Sequence, residues 1–160
     1  LAIALTIRIG TYYGEQNWIA MRKVQWIGLA TGTVLAFMTM LLLWFFKNQI
    51  VALYTSDAVV TQIAVYLVLF AIAYQLMDAW QISAAGCLRG MQDTKGPMWI
   101  TMIAYWVIAF PVGLYLSRYT DMGPAGVWIG LIVGLSIACV LLLTRLYKNN
   151  KRLESQTKLS

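Results

Sequence analysis

The sequence predicts an all-α integral membrane protein, on the basis of its composition and its long apolar runs. Of its 160 residues, 61% are hydrophobic and 11% are charged, whereas about a quarter of the residues in ordinary soluble domains are charged. Four apolar runs are each long enough to cross a hydrocarbon core of about 30 Å as a helix. Because these runs take up most of the chain, we interpret residues 1–160 as a single domain that is incomplete.

The chain opens with a short apolar segment, LAIALTI. Seven residues are too few to span a bilayer. We therefore expect this segment to be the end of a helix that starts earlier in a longer protein.

The first two full spans are predicted over about residues 24–46 and 58–88. Basic residues flank the first span on both sides, as expected just outside the hydrocarbon core. The second follows Thr55, Ser56 and Asp57, which together predict a helix N-cap. At 1.5 Å per residue this second helix would be about 46 Å long, so it must tilt or protrude from the bilayer.

The last two spans are predicted over about residues 97–116 and 122–144. Pro97 is a favourable residue for the first turn of a helix. Pro111 falls inside the third span, where it predicts a kink.

Lysine and arginine residues are distributed unequally between the two sides of these four spans. Lys47 and Arg118 fall on one side. The other side carries Arg8, Arg22, Lys23, Arg89, Lys95, Arg145, Lys148, Lys151, Arg152 and Lys158. Since cytoplasmic connections carry the excess of Lys and Arg, the C-terminus is predicted to be cytoplasmic, with residues 145–160 as a basic cytoplasmic tail. A nucleic-acid partner is a less favoured explanation of that tail.

Small residues recur at a four-residue spacing in the last span, at Gly126, Gly130 and Gly134. Such a ridge lets another helix backbone approach closely. Two interpretations are open: static helix packing, which we favour, and a surface along which two bundles slide.

Asp78 is the best functional clue in the chain, because it is the only Asp, Glu, Lys or Arg between Asp57 and Arg89. A carboxylate inside a membrane helix costs about 2.5 to 3.5 kcal/mol on insertion scales, and such residues commonly handle ions or protons. Tyr74 lies one turn earlier on the same helix face. Together the two residues predict a cation-binding site for Na⁺ or H⁺, and the sequence does not choose between these ions. The alternative is a structural hydrogen bond from Asp78 to a neighbouring helix.

Other polar residues of this region have weaker predicted roles. Gln75 shares a face with Asp78, and Gln81 continues that stripe. Gln75 could line a cavity that contacts substrate or form a hydrogen bond between helices, whereas packing is favoured for Gln81 and Ser83. Asp57 is interpreted first as a helix cap and second as a residue that attracts cationic solutes at an outer opening.

Enzyme chemistry receives little support from this sequence. It contains no histidine, so histidine metal sites and His-activated nucleophiles cannot form within these residues. Cys87 and Cys139 lie in apolar runs and do not predict a disulfide framework. We expect no cofactor and no metal site beyond Na⁺ at Asp78 and Tyr74.

Several motifs resemble the multidrug and toxic compound extrusion (MATE) family, in its NorM-like bacterial branch. The most specific is the block YQLMDAWQISAAGCLRGMQDTKGPM over residues 74–98, and within it the LRG and DT..P elements. TIRIG near the start, YWVIAFPVG over 105–113 and GPAGVWIGLIVG over 123–134 add to the resemblance, which covers nearly the whole chain.

The resemblance implies a twelve-helix protein of two six-helix bundles in the bacterial inner membrane. This chain would hold the end of helix 8 and helices 9 to 12. The family has a cation site with an aspartate and a tyrosine on the tenth helix, and the matching positions are Asp78 and Tyr74. The first bundle and the seventh helix, which carries a further acidic ligand in the sodium-linked branch, are outside this sequence.

The function implied is export of cationic amphipathic drugs or dyes in exchange for Na⁺ or H⁺ by alternating access. The implied partners are membrane lipid and the missing N-terminal bundle. Three alternatives are kept: a lipid-linked oligosaccharide flippase, a non-transporting membrane assembly subunit, and a membrane enzyme whose reactive groups lie elsewhere in the protein.

Overall fold

The computed structural model describes residues 1–54, 57–120 and 122–157. Within these ranges all regular structure is helical: α1 (Ala2–Gly14), α2 (Trp18–Ala52), α3 (Ala58–Gly90), α4 (Lys95–Met102), a π-helical segment (Ile103–Ala109), α5 (Phe110–Tyr119) and α6 (Pro124–Thr157). By length and composition, four stretches could cross a membrane: Trp18–Ala52, Ala58–Gly90, Lys95–Tyr119 and Pro124–Ser155. The predicted all-helical membrane fold is confirmed.

Side chains cap the first turns of α2 and α3. The Asn17 side chain accepts a 3.1 Å hydrogen bond from the Ala20 N–H at the start of α2. The Asp57 carboxylate accepts from the N–H groups of Val59 and Val60, at 2.8 and 3.1 Å, at the start of α3. These bonds satisfy backbone donors that have no partner inside the helix. Thr55 and Ser56, the other residues of the predicted cap, lie outside the described residues.

The third membrane-length stretch is irregular in its middle. The helix begins at Lys95, two residues before Pro97. The expected irregularity at Pro111 takes the form of the π-helical segment Ile103–Ala109, which ends two residues before the proline. A proline lacks an N–H donor, and its ring crowds the carbonyl four residues earlier, so regular α-helical bonding is interrupted there.

Helix α3 lies at the centre of the fold and packs against α1, α2 and α6. The glycine ridge of α6 packs against the third stretch. A Cβ on Gly126 would lie 2.6 Å from the Ser117 nitrogen, and a Cβ on Gly130 or Gly134 would lie 2.7 Å from the carbonyl oxygen of Ala109 or Ala104, respectively. Because atoms of the third stretch fill the space beside each glycine, the ridge packs closely inside the fold, as the favoured interpretation predicts.

The buried core lies toward one end of the bundle. It is formed by residues from α1, α2, the end of α3 and the second half of α6: Leu5, Ile9, Met21, Ala84, Ala85, Cys87, Leu88, Met91, Leu142 and Leu146. The same end carries most of the lysine and arginine residues, and we call it the basic end. The middle of α2 exposes large apolar side chains, among them Phe37, Leu41 and Phe45.

Residues 145–157, part of the predicted tail, continue the last helix. Leu146 is buried in the core, and Leu153 packs against it. This part of the tail is therefore a folded extension of α6 at the basic end.

Candidate cation site

Asp78 lies in the second half of α3, twelve residues before the helix ends at Gly90. At 1.5 Å per residue the separation is about 18 Å along the helix axis. The side chain is half-buried. The described residues form two ion pairs, and Asp78 takes part in neither of them. The carboxylate therefore lies deep in a membrane-length helix without a neutralising partner in this part of the chain.

Two tyrosines approach Asp78 from different elements. Tyr74 lies one turn earlier on α3, and its ring packs against Trp128 of α6 with 6.0 Å between ring centroids. Tyr105, in the π-helical segment, donates a 3.0 Å hydrogen bond from its hydroxyl to Gln81 Oε1. The Tyr105 phenol also interacts electrostatically with Asp78 and Tyr74. One carboxylate and two phenols thus lie in the same region of the fold, between α3, α6 and the π-helical segment.

Tyr105 is a candidate site residue that sequence reasoning missed. It is separated from Asp78 by 27 positions, so no helical spacing connects the two. The available signal was indirect: Tyr105 precedes Pro111 by six residues, in the span where an irregular helix was expected. π-Helical turns are frequent at functional sites.

The predicted polar stripe of α3 divides between two neighbouring helices. Gln75 donates a 2.9 Å hydrogen bond from Nε2 to Thr39 Oγ1 of α2. The buried Gln81 instead contacts Tyr105. The prediction of a single stripe through Gln75, Asp78 and Gln81 was therefore wrong in one respect: Gln75 and Gln81 contact different elements. Each step of three residues rotates the side chain slightly around the helix, so after two steps it can reach a different neighbour. Of the two roles predicted for Gln75, the structure contains the hydrogen bond between helices.

Two further polar groups of α3 face α2. Trp80 donates a 2.8 Å hydrogen bond from Nε1 to Thr33 Oγ1. Ser83 is fully buried, and its hydroxyl has no hydrogen-bond partner among the described residues. A Cβ on Gly32 would lie 3.0 Å from the Ser83 hydroxyl oxygen, so the glycine lets α2 pack closely there.

Asp57 lies apart from this cluster. It is exposed and caps α3, and 21 residues separate it from Asp78, which corresponds to about 30 Å along a helix. The two carboxylates therefore belong to different ends of α3 and do not form one site.

The cluster around Asp78 offers oxygen atoms of a kind suited to a monovalent cation. A carboxylate supplies one negative charge, and the two phenols supply neutral oxygens. A hard cation prefers oxygen ligands, and a carboxylate in an apolar setting can instead hold a proton. The described residues contain no group of three or more His, Cys, Asp or Glu side chains that could hold a metal ion.

A second carboxylate, Asp93, has very different surroundings in the loop between α3 and α4. Arg145 of α6 donates to it twice, from Nε at 2.5 Å and from Nη2 at 3.0 Å. Asn149 Nδ2 and the Gly96 N–H also donate to it, at 3.1 and 3.2 Å. A Cβ on Gly96 would collide with the Arg145 guanidinium. The DT..P block thus joins the α3–α4 loop to the last helix.

These contacts change the protonation of Asp93, which lies outside the membrane-length stretches. The hydrogen bond from Arg145 is the largest cause, and it lowers the pKa of Asp93 below its ordinary value. Partial burial acts in the opposite direction, and the hydrogen bonds from Asn149 and Gly96 lower the pKa further. Asp93 is therefore held in its charged form.

Two more polar contacts join α2 to the extension of α6. Gln25, which is buried, and Asn150, which is half-buried, exchange amide hydrogen bonds of 3.2 and 2.7 Å. Arg22 forms an ion pair with Glu154. Both contacts lie at the basic end, so the extension of α6 is tied to two other parts of the bundle.

Comparison with known proteins identifies the family. A family model described as MatE matches residues 1–115. The chain belongs to the MatE family. It is 71% identical over 157 residues to a protein of Acinetobacter baylyi described as "Probable multidrug resistance protein NorM", in an alignment that covers 98% of this chain and 35% of that protein. The family resemblance and its NorM-like branch are confirmed.

The fold also matches solved structures of MATE transporters. An inward-facing structure of a multidrug resistance MATE family transporter superposes with a TM-score of 0.88 at 18% identity, over 96% of this chain and 36% of that one. An outward-facing structure of such a transporter gives the same TM-score and identity, over 96% and 35% of the two chains. At this identity the match concerns the fold alone. The chain spans about a third of the length of its relatives.

Proposed function

We propose that the protein containing this chain exports cationic amphipathic compounds across the membrane in exchange for Na⁺ or H⁺. The observation that carries the proposal is a half-buried carboxylate, Asp78, deep in an apolar helix. The phenols of Tyr74 and Tyr105 lie in the same region. Burial of such a group is costly, and a transported cation or proton would neutralise it in part of each cycle. The NorM name of the Acinetobacter relative, described as a multidrug resistance protein, supports export as the direction.

Coupling requires that ion and drug favour different conformations. If Na⁺ or H⁺ at Asp78 stabilises one conformation and the drug stabilises the other, linkage makes ion entry drive drug exit. The equal match to inward- and outward-facing transporters supports a scheme in which this part of the protein keeps its fold while its relation to the rest changes. Cargo and ion then need no shared ligands.

Orientation follows from charge. We propose that the basic end faces the cytoplasm of a bacterial cell and that the membrane is the inner membrane. Support comes from the ten Lys and Arg residues on that side against two on the other. In this orientation the Asp57 end of α3 faces outward, and ions would reach Asp78 from that side.

The test is ethidium efflux by the full-length protein, driven separately by a sodium and a proton gradient, with wild type and Asp78→Asn compared at equal expression. We expect Asp78→Asn to abolish gradient-driven efflux, and the gradient that drives the wild type identifies the ion. Asp57→Asn is the matched control, since it changes an exposed carboxylate of the same helix and should retain efflux. Undiminished efflux in Asp78→Asn would show that coupling uses other residues.

A further inference from the structure

A cavity of about 460 Å³ lies at the basic end, between the start of α2 and the extension of α6. It is separate from the cluster around Asp78 and shares none of its residues. Its lining combines charged side chains with apolar side chains.

The polar part of the lining is built from both helices. Arg22 pairs with Glu154, and their side chains remain 35% and 50% exposed. Arg22 Nη2 also donates a 3.4 Å hydrogen bond to the Asn150 carbonyl. Lys151 is exposed and is in neither ion pair of the described residues. The guanidinium is therefore held in place by protein contacts, while the ammonium of Lys151 can turn toward a bound anion.

The apolar part of the lining continues toward the membrane-length portion of each helix. Leu29 and Leu143 form its walls, with Trp26 and Tyr147 beside them. Trp26 is 74% and Tyr147 is 68% exposed. Exposed Trp and Tyr next to basic residues are typical of helix ends at the headgroup level of a bilayer.

We propose that this cavity binds an anionic phospholipid. Lys151 and Arg22 would contact the phosphate or the charged headgroup, and Leu29, Leu143 and Trp26 would contact the first part of an acyl chain. A lipid fits better than a soluble anion because the charged and apolar portions follow one another along the helices, as headgroup and chain do in a bilayer. The amide pair of Gln25 and Asn150 adds polar groups to the lining of the cavity.

The proposal predicts a preference for anionic over zwitterionic lipid. Each Lys or Arg near an anionic lipid surface contributes about 1 kcal/mol, so loss of the Lys151 charge should weaken binding about fivefold. Glu154 lines the same cavity and repels an anion. Its replacement by glutamine should strengthen binding, although the ion pair with Arg22 is lost.

The experiment is native mass spectrometry of the full-length protein released from nanodiscs that contain equal amounts of phosphatidylglycerol and phosphatidylcholine. We expect the wild type to retain phosphatidylglycerol, Lys151→Gln to retain about fivefold less, and Glu154→Gln to retain more. Lys148→Gln is the matched control, because Lys148 lies on the same turns of α6 but does not line the cavity.

Four outcomes would overturn the proposal. Equal retention of the two lipids would indicate apolar contact alone. Equal losses in Lys151→Gln and Lys148→Gln would indicate a diffuse charge effect. Release of the lipid by excess inorganic phosphate would indicate a soluble-anion site. Reduced retention in Glu154→Gln would show that the ion pair, and not the charge of the cavity, controls the lipid.

Discussion

Asp93 and Asp78 differ in their electrostatic environments, because among the described residues only Asp93 has a charged partner. Asp93, in the loop after α3, accepts hydrogen bonds from Arg145, Asn149 and Gly96. Asp78, inside α3, has no ion pair among the described residues, and the phenol of Tyr105 interacts with it electrostatically. A carboxylate whose hydrogen bonds are made within the fold stabilises that fold, whereas one left without a charged partner is available to an ion. The comparison separates a structural acid from a proposed functional one.

The largest expected difference is in stability. Asp93→Asn removes the charge that Arg145 pairs with, and it should destabilise the folded protein by about 1 to 2 kcal/mol, because hydrogen bonds to charged groups contribute about 1.5 to 3 kcal/mol and the guanidinium is partly exposed. Asp78→Asn should leave stability unchanged or raise it, because a costly buried charge is removed.

The measurement for this pair is thermal unfolding of the two full-length variants in the same detergent. A lower melting temperature for Asp93→Asn alone is the expected result. Equal destabilisation by Asp78→Asn would mean that Asp78 has a structural partner elsewhere in the protein, and the contrast between the two carboxylates would not hold.

Acid should remove the contribution of Asp93. Its pKa is lowered in the folded state, so its stabilising effect is complete above the unfolded-state pKa of about 3.9 and is lost as the pH falls through the lower folded-state pKa. Melting temperatures of wild type and Asp93→Asn, measured from neutral pH downward, should therefore differ near pH 7 and begin to approach each other below about pH 4. They should coincide only below the folded-state pKa of Asp93. A difference that stays constant with pH would contradict the ion pair as its cause.

The partly buried amide pair of Gln25 and Asn150 should contribute about 1 kcal/mol of coupling, the usual net size of a hydrogen bond within a protein. Gln25→Leu and Asn150→Leu should each destabilise the protein, and the double variant should lose less than the sum of the two. A double-mutant cycle by chemical denaturation in detergent measures this coupling. Additive losses would show that the two amides act independently.

Tyr105→Phe tests the smallest effect. It removes the hydroxyl that donates to Gln81 and interacts electrostatically with Asp78. The ion concentration needed for half-maximal efflux should rise about two- to fivefold, the equivalent of about 0.5 to 1 kcal/mol. The maximal efflux rate should be retained. Tyr115→Phe, in the exposed part of α5, is the control and should behave like wild type. No change in Tyr105→Phe would remove this residue from the site.

The sequence predicted the cluster around Asp78 only in part. Asp78 and Tyr74 could be paired because one helical turn brings them to the same face. Tyr105 could not, because its approach depends on the packing of a separate helix and on a π-helical segment. For the same reason the sequence could not assign Gln75 to α2 and Gln81 to Tyr105.

The basic end shows a similar division. The lysine and arginine residues of this end could be counted from the sequence. Residues 145–160, however, were predicted only as a basic tail. Arg145 and Asp93 are 52 positions apart, and Gln25 and Asn150 are 125 apart. Contacts at such separations leave no periodic signal in a single sequence, so the folded extension of α6 was missed.

The sequence by itself determined the helical membrane fold and the presence of four spans. It also showed that Asp78 is the only charged residue between Asp57 and Arg89. It could do so because hydrophobicity and the 3.6-residue repeat act locally along the chain. The tertiary structure decided which polar groups meet: that Arg145 neutralises Asp93, that Tyr105 approaches Asp78, and that the glycine ridge is filled by the backbone of its neighbours. These outcomes depend on side-chain contacts between helices that are distant in sequence, and only packing in three dimensions fixes them.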